Sequence, residues 1–252
     1  MDELHFMLSA DDTEIYAAYN SGDLDYIDTV PNDEICSLNG INPEFGILDN
    51  LGTYYIGFNV NDSIFDGKTE EQAAKMREAI SLLVDRQFIV ENVGQTGHIA
   101  VAESVQQDVT LLGINLEIKS EDWNVFLQDR KDGNFTIARE GWLTDYNDPV
   151  NMLEIFTSDS GNNDMQLGKG TPVSSSPDWT AYNDLISQIR TTTDFAARVD
   201  LMHQAEDMLM NTWAVIPIYY YNDVYMQKSN VTGIYATVYG MKYFMYATKS
   251  AQ

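Results

Sequence analysis

The spacing of apolar residues predicts a series of amphipathic helices along the chain. Thr69 can cap a helix, and Gln72 lies three residues further on, as in a capping box. Met76 and Ile80 then begin an apolar face at helical spacing, and Gly94 is the predicted end of this helix. Similar spacing predicts helices at residues 12–20, 99–112, 122–130, 178–191 and 194–211. Apolar faces of this kind pack against a core, so the pattern predicts a globular interior.

Short runs in which apolar and polar residues alternate predict strands between these helices. The predicted strands are residues 3–9, 24–28, 54–60, 114–118, 135–139, 215–220 and 241–248. Residues 31–50 are rich in proline and glycine and predict turns, and residues 158–176 predict a long loop. Because helices and strands alternate along the chain, an α/β fold is favoured.

The segment 135–149 leads from a predicted strand into a polar, aromatic turn. Gly141 and Pro149 are expected to break regular structure. The side chains with binding chemistry in this segment are Arg139, Trp142, Asp145 and Tyr146. A carboxylate pairs with an ammonium group, a guanidinium pairs with a carboxylate, and an aromatic ring covers the chain between them, so the segment suits a small zwitterion or a chain terminus. The simpler interpretation is an ordinary strand exit at which Asp145 caps a turn.

The composition limits the class of protein. A hydrophobic content of 44% allows a packed core, and 252 residues allow one large domain or two modest ones. The 39 acidic residues outnumber the 14 basic ones, which gives a net charge of −25. Nucleic acids and anionic membrane surfaces bind basic surfaces, so this charge argues against both as partners.

The sequence contains no signal for a metal, a disulfide or a membrane helix. Cys36 is the single cysteine, which excludes an internal disulfide and a cysteine-based zinc site. His5, His98 and His203 lie far apart and show no metal-binding spacing, so surface or capping roles are expected for them. No segment reaches the apolar length of a membrane helix, and the chain begins with Met-Asp-Glu rather than with a basic signal region. We expect no metal, no cofactor and no direct insertion into a membrane.

The run Arg-x-Gly-Trp-x-x-Asp-Tyr-Asn-Asp-Pro at residues 139–149 resembles the signature of the extracytoplasmic oligopeptide- and dipeptide-binding proteins of ABC importers, the bacterial solute-binding protein family 5. Four further segments are similar to this family in the same order along the chain. They are Tyr-Asn-Ser-Gly-Asp-Leu-Asp at 19–25, Leu-Gly-Thr-Tyr-Tyr-Ile-Gly-Phe-Asn at 51–59, Met-Arg-Glu-Ala-Ile-Ser-Leu-Leu-Val-Asp-Arg at 76–86 and Ile-Pro-Ile-Tyr-Tyr-Tyr at 216–221. Because these matches are ordered and cover nearly the whole chain, the sequence is identified as a member of the family.

The resemblance implies a periplasmic-binding-protein-like α/β fold (type II, cluster C), in which two lobes enclose a peptide. Residues 54–216 would form the second lobe, a mixed sheet flanked by helices. Residues 1–53 would be a remnant of the first lobe, and residues 217–252 its return crossing and terminal strands. Much of the first lobe is expected to be missing. An abrupt joint near residues 94–98 indicates that a further stretch of the family pattern is deleted there.

The resemblance also implies roles for individual residues. Asp145 matches the residue that receives the α-ammonium group of the peptide, Arg139 matches one that meets the carboxylate of short peptides, and Trp142 matches a wall of a side-chain pocket. Tyr146 is expected beside Asp145. Tyrosines near the expected hinge crossings are further candidates, and which member of each pair faces the cleft is left open, as is plain packing within a strand: Tyr54, Tyr55, Tyr219 and Tyr220.

The implied function is the solute-binding component of a peptide ABC importer, with short peptides as ligands and a membrane permease as the partner of the parent protein. The family carries a signal peptide and often a lipid-modified cysteine, which implies an extracytoplasmic location. Two alternatives stay open. Glu140 and Asp145 flank a strand exit as paired carboxylates do in some hydrolases, although the sequence contains no nucleophile, P-loop or zinc-protease motif. A structural fragment that has lost its ligand is the other alternative.

Overall fold

The computed structural model describes residues 3–93, 97–171 and 173–251. The helices are α1 Asp12–Ser21, α2 Asn32–Leu38, α3 Glu70–Leu83, α4 Arg86–Asn92, α5 His98–Thr110, α6 Trp123–Asp132, α7 Val150–Glu154, α8 Thr180–Thr191 and α9 Phe195–Asn211. The strands are β1 Tyr26–Ile27, β2 Phe45–Phe58, β3 Ile137–Leu143, β4 Val215–Gln227, β5 Val231–Thr232, β6 Tyr235–Ala236, β7 Lys242–Tyr243 and β8 Thr248–Lys249. The alternation of helices and strands confirms the predicted α/β class.

The chain divides into two compact units. The first unit contains the residues up to Gly52 and those from Tyr220 onward, and the second unit is Thr53–Tyr219. The sequence placed its boundaries at 53/54 and 216/217, and the assignment of each unit to a lobe stays a prediction. The predicted joint near residues 94–98 lies largely outside the described residues, because the description stops at 93 and resumes at 97.

The two long strands, β2 and β4, each pass from one unit into the other. They belong to a four-stranded sheet with the order β1-β4-β2-β3. In the first unit β1 and β4 are antiparallel, with Tyr26 opposite Gln227 and Ile27 opposite Met226. The short strands form two further antiparallel pairs, β5 with β8 and β6 with β7.

The core of the second unit is formed mainly by residues of helices α7 to α9 and of the 158–176 loop. Its members include Met165 and Leu167 of the loop, which are completely buried. Trp179 stacks on Tyr182 with ring centroids 4.4 Å apart, and its indole N–H donates a hydrogen bond of 2.8 Å to the carbonyl oxygen of Phe156. Trp142, near the end of β3, packs against this core. The first unit has a separate small core, made of Tyr19, Ile27, Val30, Leu38 and Met226.

Local sequence signals are confirmed where a side chain caps a helix. The Thr69 hydroxyl and the Gln72 side chain form the predicted capping box at the start of α3. The predicted helix from Thr69 to Gly94 is wrong in its length, because Val84 adopts extended backbone after Leu83 and Asp85 caps a new helix, α4.

Several other element predictions are wrong. Residues 3–9 and 114–118 form no strand, and residues 241–248 contain only the short strand β7 and the start of β8. The first of these segments has no partner strand and leaves Leu8 92% exposed, so its alternating pattern alone does not form a ladder. The turn-rich region 31–50 instead contains helix α2 and the start of β2. Gly141 lies inside β3 and does not end it.

Candidate functional site

Strand β3 presents different chemistry on its two faces. Ala138 and Glu140 are buried, whereas Ile137 and Arg139 are half-buried on the alternate face. Successive side chains of a strand point to opposite sides, so the charges of Arg139 and Glu140 lie in separate environments.

Aromatic rings surround the Arg139 guanidinium. Its central carbon lies 5.0 Å from the ring centre of Trp123 and 6.0 Å from those of Phe126 and Tyr54. Such contacts hold a cation without neutralising its charge. Within the described parts of the chain, no carboxylate forms an ion pair with Arg139. The guanidinium is therefore held in place and keeps its charge for another group.

Tyr54 lies in the middle of a stack beside Arg139. Its ring stacks on Tyr219 at 4.7 Å between centroids and on His98 at 5.6 Å. Burial and the nearby Arg139 charge lower the pKa of His98, so the imidazole is neutral around pH 7. The structure thus brings together three of the residues predicted from the sequence: Arg139, Tyr54 and Tyr219.

Two of the predicted tyrosines lie elsewhere. Tyr55 is 4% exposed and belongs to the core of the second unit, with its ring 6.1 Å from Phe156. Tyr220 is 80% exposed and belongs to the first compact unit. Because neighbouring side chains of a strand point to opposite faces, only one member of each pair can join the stack. Tyr55 therefore lies in the core and Tyr220 outside the cluster around Arg139, and ligand contact by any of the four tyrosines stays a prediction.

The Asp145 carboxylate is exposed just beyond the end of β3. Its side chain makes no hydrogen bond or ion pair with any residue that the structure describes. The cap expected as the simpler interpretation belongs to Asp148 instead, which accepts a hydrogen bond of 3.0 Å from the Val150 N–H and pairs with Arg198 at 2.9 Å. Asp145 is thus an available negative charge.

Trp142 and Tyr146 are both fixed by hydrogen bonds to side chains of α7. The indole N–H of Trp142 donates to Asn151 Oδ1 at 3.0 Å, and its ring packs against the core of the second unit. The Tyr146 hydroxyl donates to Glu154 Oε1 at 2.6 Å, while its side chain is 42% exposed. The indole therefore has a defined orientation close to Asp145.

A cavity of about 260 Å³ lies beside Trp142 and Asp145. Glu154 on its wall forms an ion pair of 2.8 Å with Arg190. Burial alone would raise the pKa of Glu154, but hydrogen bonds from Tyr146, Arg190 and Asn151 outweigh burial and lower it. The lining is mostly polar and consists of Trp142, Asp145, Asn151, Glu154, Ile155, Thr157, Asp159, Ser160, Asn162 and Arg190.

Glu140 belongs to a buried group of three charges behind β3. Its carboxylate forms an ion pair with Arg130, which also lies 3.4 Å from Asp164. Burial raises the pKa of Glu140 to about 8, and the Asp164 charge adds to the rise, although Arg130 and Arg139 act in the opposite direction. Glu140 is 3% exposed and Asp145 is exposed, so the structure does not pair them as the acid and base of a hydrolase.

The structure also identifies site residues that the sequence reasoning did not assign. Trp123 and Phe126 lie three residues apart on α6, a spacing that places them on one helix face toward Arg139. The spacing in the sequence could therefore have indicated that both rings lie on one side of the helix. The sequence reasoning did not assign Asn151, although it follows the motif closely in sequence, and it could not assign Arg190, which binds Glu154 of α7 from 36 residues away.

Two kinds of feature are absent from residues 3–93, 97–171 and 173–251. There, no group of three or more histidine, cysteine, aspartate or glutamate residues is arranged to hold a metal ion. In the same part of the chain, no helix has the length and apolar character needed to cross a bilayer.

Comparison with known families assigns the chain. The model for bacterial extracellular solute-binding proteins, family 5 (middle part), matches residues 1–100 and 93–164, which together make up more than half of the chain. The chain belongs to this family. The resemblance to this family is thereby confirmed, and residues 139–149 and three of the four other segments, at 19–25, 51–59 and 76–86, lie within the matched residues.

Curated relatives of this family 5 chain are named as peptide-binding proteins. The dipeptide-binding protein DppE of Bacillus subtilis is 26% identical over 300 aligned positions, which cover 93% of this chain and 52% of DppE. The periplasmic oligopeptide-binding protein OppA of Salmonella typhimurium is 31% identical over 66% of this chain and 29% of OppA. The chain spans about half the length of DppE and less of OppA.

Solved structures confirm the periplasmic-binding-protein-like fold. One is a dipeptide-binding protein of Pseudoalteromonas sp. SM9913 in complex with Met-Leu, with a TM-score of 0.75 and 16% sequence identity. The match covers 96% of this chain and 57% of that protein's chain. Listeria monocytogenes OppA bound to peptide has a TM-score of 0.74 and 18% sequence identity. That match covers 97% of this chain and 57% of the OppA chain. At these identities the likeness concerns the fold.

Proposed function

We propose that this chain is part of the solute-binding component of a peptide ABC importer, and that its second unit binds short peptides through their charged ends and main chain. The observation that carries the proposal is the Asp145 carboxylate, exposed beside a fixed indole and without a side-chain partner in the described parts of the chain. The names of the family 5 relatives, which are peptide-binding proteins, support the ligand class.

The ammonium end of the peptide binds at Asp145. A carboxylate that accepts a hydrogen bond from an ammonium group forms one of the stronger polar contacts in proteins. Trp142 lines the same cavity as Asp145, and its apolar ring would exclude water from one side of the ion pair and so strengthen it. Tyr146 and the polar cavity leave room for a side chain and its water, and water-filled pockets tolerate different side chains.

The carboxylate end of a short peptide binds at Arg139. Its guanidinium is held by Trp123, Phe126 and Tyr54 and can form two parallel hydrogen bonds with a carboxylate. An extended chain covers about 3.3–3.6 Å per residue, so the Cα atoms of Arg139 and Asp145 lie within about 20 Å of each other. A separation within this limit is compatible with a short peptide held at both ends. Tyr219 belongs to the same aromatic wall through its stack on Tyr54.

The parent protein would work outside the cytoplasm and deliver peptides to a membrane permease, without catalysis. Its relatives are named as periplasmic and dipeptide- or oligopeptide-binding proteins. The second unit would be the second lobe, and the first unit a remnant of the first lobe. An internal deletion is supported by the family match, which consists of two parts that overlap at residues 93–100.

Affinity should be weak for this chain on its own. Tight binding of a small ligand requires that most of its surface be buried, and the chain spans about half the length of DppE. Binding in the millimolar range is therefore expected, which nuclear magnetic resonance can measure through chemical-shift changes during a titration.

We expect Asp145→Asn to weaken binding of trialanine about tenfold, equal to about 1.4 kcal/mol, because the ammonium group loses its counter-charge. The titration is repeated with N-acetyl-trialanine, which carries no ammonium group and should bind both proteins equally. Asp159→Asn is the matched control, since it removes an exposed carboxylate from the wall of the same cavity. Equal affinity of the Asp145→Asn variant and the unaltered chain for trialanine would show that this carboxylate does not bind the ammonium group, and no binding by either would favour the inert fragment.

A further inference from the structure

One buried amide connects the two groups proposed to receive the peptide's amino end. Asn151 lies in α7 and is 2% exposed. Its Oδ1 atom accepts hydrogen bonds from the Trp142 indole N–H at 3.0 Å and from the Asp145 backbone N–H at 2.9 Å. A single oxygen therefore fixes both the orientation of the indole and the course of the main chain at Asp145.

The other side of the same amide binds a carboxylate. Asn151 Nδ2 donates to Glu154 Oε1 at 3.2 Å, and Glu154 also binds Tyr146 at 2.6 Å and Arg190 at 2.8 Å. Both faces of the amide are used, so its orientation is determined: two donors face the oxygen and an acceptor faces the nitrogen. The network extends from the turn after β3 to Arg190 in α8.

The two donors on Oδ1 would lose their acceptor together if the amide were removed. An N–H group that loses its partner in a partly buried place costs more free energy than the hydrogen bond itself contributes, so the local structure would rearrange to find water or another acceptor. Trp142 and the Asp145 backbone share that acceptor, and a rearrangement of one is therefore coupled to the other.

We propose that Asn151 is a positioning residue: it sets the relative placement of the Trp142 indole and the Asp145 turn and so determines the geometry in which a peptide amino terminus binds. This inference rests on the proposed peptide-binding function of Asp145 and Trp142. Asn151 need not touch the peptide, since its amide acts through the two groups that do.

The test follows the Trp142 indole directly, independently of any ligand. In ¹⁵N-labelled protein the four tryptophan indole N–H signals are recorded, and the Trp142 signal is identified by its loss in Trp142→Phe. We expect Asn151→Ala to shift this signal and to raise its rate of exchange with water at least tenfold. Asn151→Asp keeps an oxygen acceptor toward both N–H groups, so it should retain the signal near its original position. Trialanine affinity should fall about tenfold in Asn151→Ala and by less in Asn151→Asp.

Asn183→Ala is the matched control for a general loss of stability. Asn183 also bridges a helix to a loop, with hydrogen bonds to the Ser158 N–H at 3.0 Å and to the Ser158 hydroxyl at 2.7 Å, and it does not bond to Trp142. This variant should leave the Trp142 signal and trialanine affinity unchanged.

Two outcomes overturn the inference. The first is an Asn151→Ala protein whose Trp142 signal keeps its position and exchange rate. The second is a displaced signal with unchanged trialanine affinity, which would mean that Asn151 orients the indole without affecting binding. If the unaltered chain binds no trialanine, the proposed function fails, and the positioning claim for the binding site fails with it, while the indole signal still reports whether Asn151 fixes Trp142.

Discussion

Replacing Arg130 by methionine is expected to destabilise the second unit by about 3–5 kcal/mol at pH 8, because the change leaves two buried carboxylates without their cation. Arg130 pairs with Glu140 and lies 3.4 Å from Asp164. All three residues are at least nine-tenths buried. Because methionine fills a similar volume, the loss of stability reports the removal of the charge and not the creation of a cavity. Urea unfolding followed by circular dichroism gives the free energy.

The pH dependence separates this electrostatic explanation from a packing defect. A carboxyl group whose pKa is raised by folding binds more protons in the folded state than in the unfolded state. The free energy of unfolding therefore falls as the pH rises from the unfolded pKa of about 4.5 through the folded pKa. For Glu140 the folded pKa is about 8, which defines the window from about pH 4.5 to pH 8. Without Arg130 the protonated forms of Glu140 and Asp164 become still more favourable. The cost of Arg130→Met should therefore shrink as the pH is lowered toward 5.

Two comparisons sharpen the result. Arg190→Met breaks the more exposed pair with Glu154, and should cost less than about 1 kcal/mol with little pH dependence. Glu140→Gln leaves one cation with one carboxylate and is expected to be neutral or stabilising at pH 8. A cost of Arg130→Met that stays constant between pH 5 and pH 8 would contradict the proposed role of the buried charges.

The sequence predicted those parts of the fold whose determinants are local. The capping box of Thr69 and Gln72 marks the start of α3, and the apolar spacing of residues 194–211 closely matches α9. Residues 3–9 show the limit of this reasoning, because an alternating pattern forms a strand only when a partner strand is available. Likewise, the glycine- and serine-rich composition of residues 158–176 predicted the loop, but isolated apolar residues without periodicity did not reveal that Met165 and Leu167 enter the core.

The candidate site was predictable in its residue types and less so in its arrangement. The motif at residues 139–149 identified Arg139, Trp142 and Asp145, and strand alternation left open whether Tyr54 or its neighbour joins them. Only the structure shows that Glu140 faces inward to Arg130 while Asp145 stays exposed. Arg130 and Asp164 come from other segments of the chain, and the sequence gives no local pattern that links them. Ligand contacts at these positions remain predictions.

Trp179→Ala is expected to destabilise the second unit by about 3–5 kcal/mol, because it removes a large aromatic side chain from the core. Trp179 is 4% exposed, stacks on Tyr182 and donates a hydrogen bond to the Phe156 carbonyl. The substitution leaves a cavity and also deprives that carbonyl of its donor, and both effects add to the cost. The loop 158–176 should loosen as well, since a Cβ atom on Gly168 would lie 3.3 Å from Cγ of Trp179, a ring atom that the substitution removes.

Trp123→Ala is the matched control, because it removes the same side chain from a half-exposed position. Trp123 is 52% exposed, and its ring contacts Phe126 and the Arg139 guanidinium. Its loss should cost about 1 kcal/mol or less and mainly free the guanidinium to move. Urea unfolding gives the free energy of unfolding of both variants. In the Trp179→Ala protein, limited proteolysis should cleave first within residues 158–176. Equal costs for the two variants would show that the core beneath the loop does not depend on the indole of Trp179.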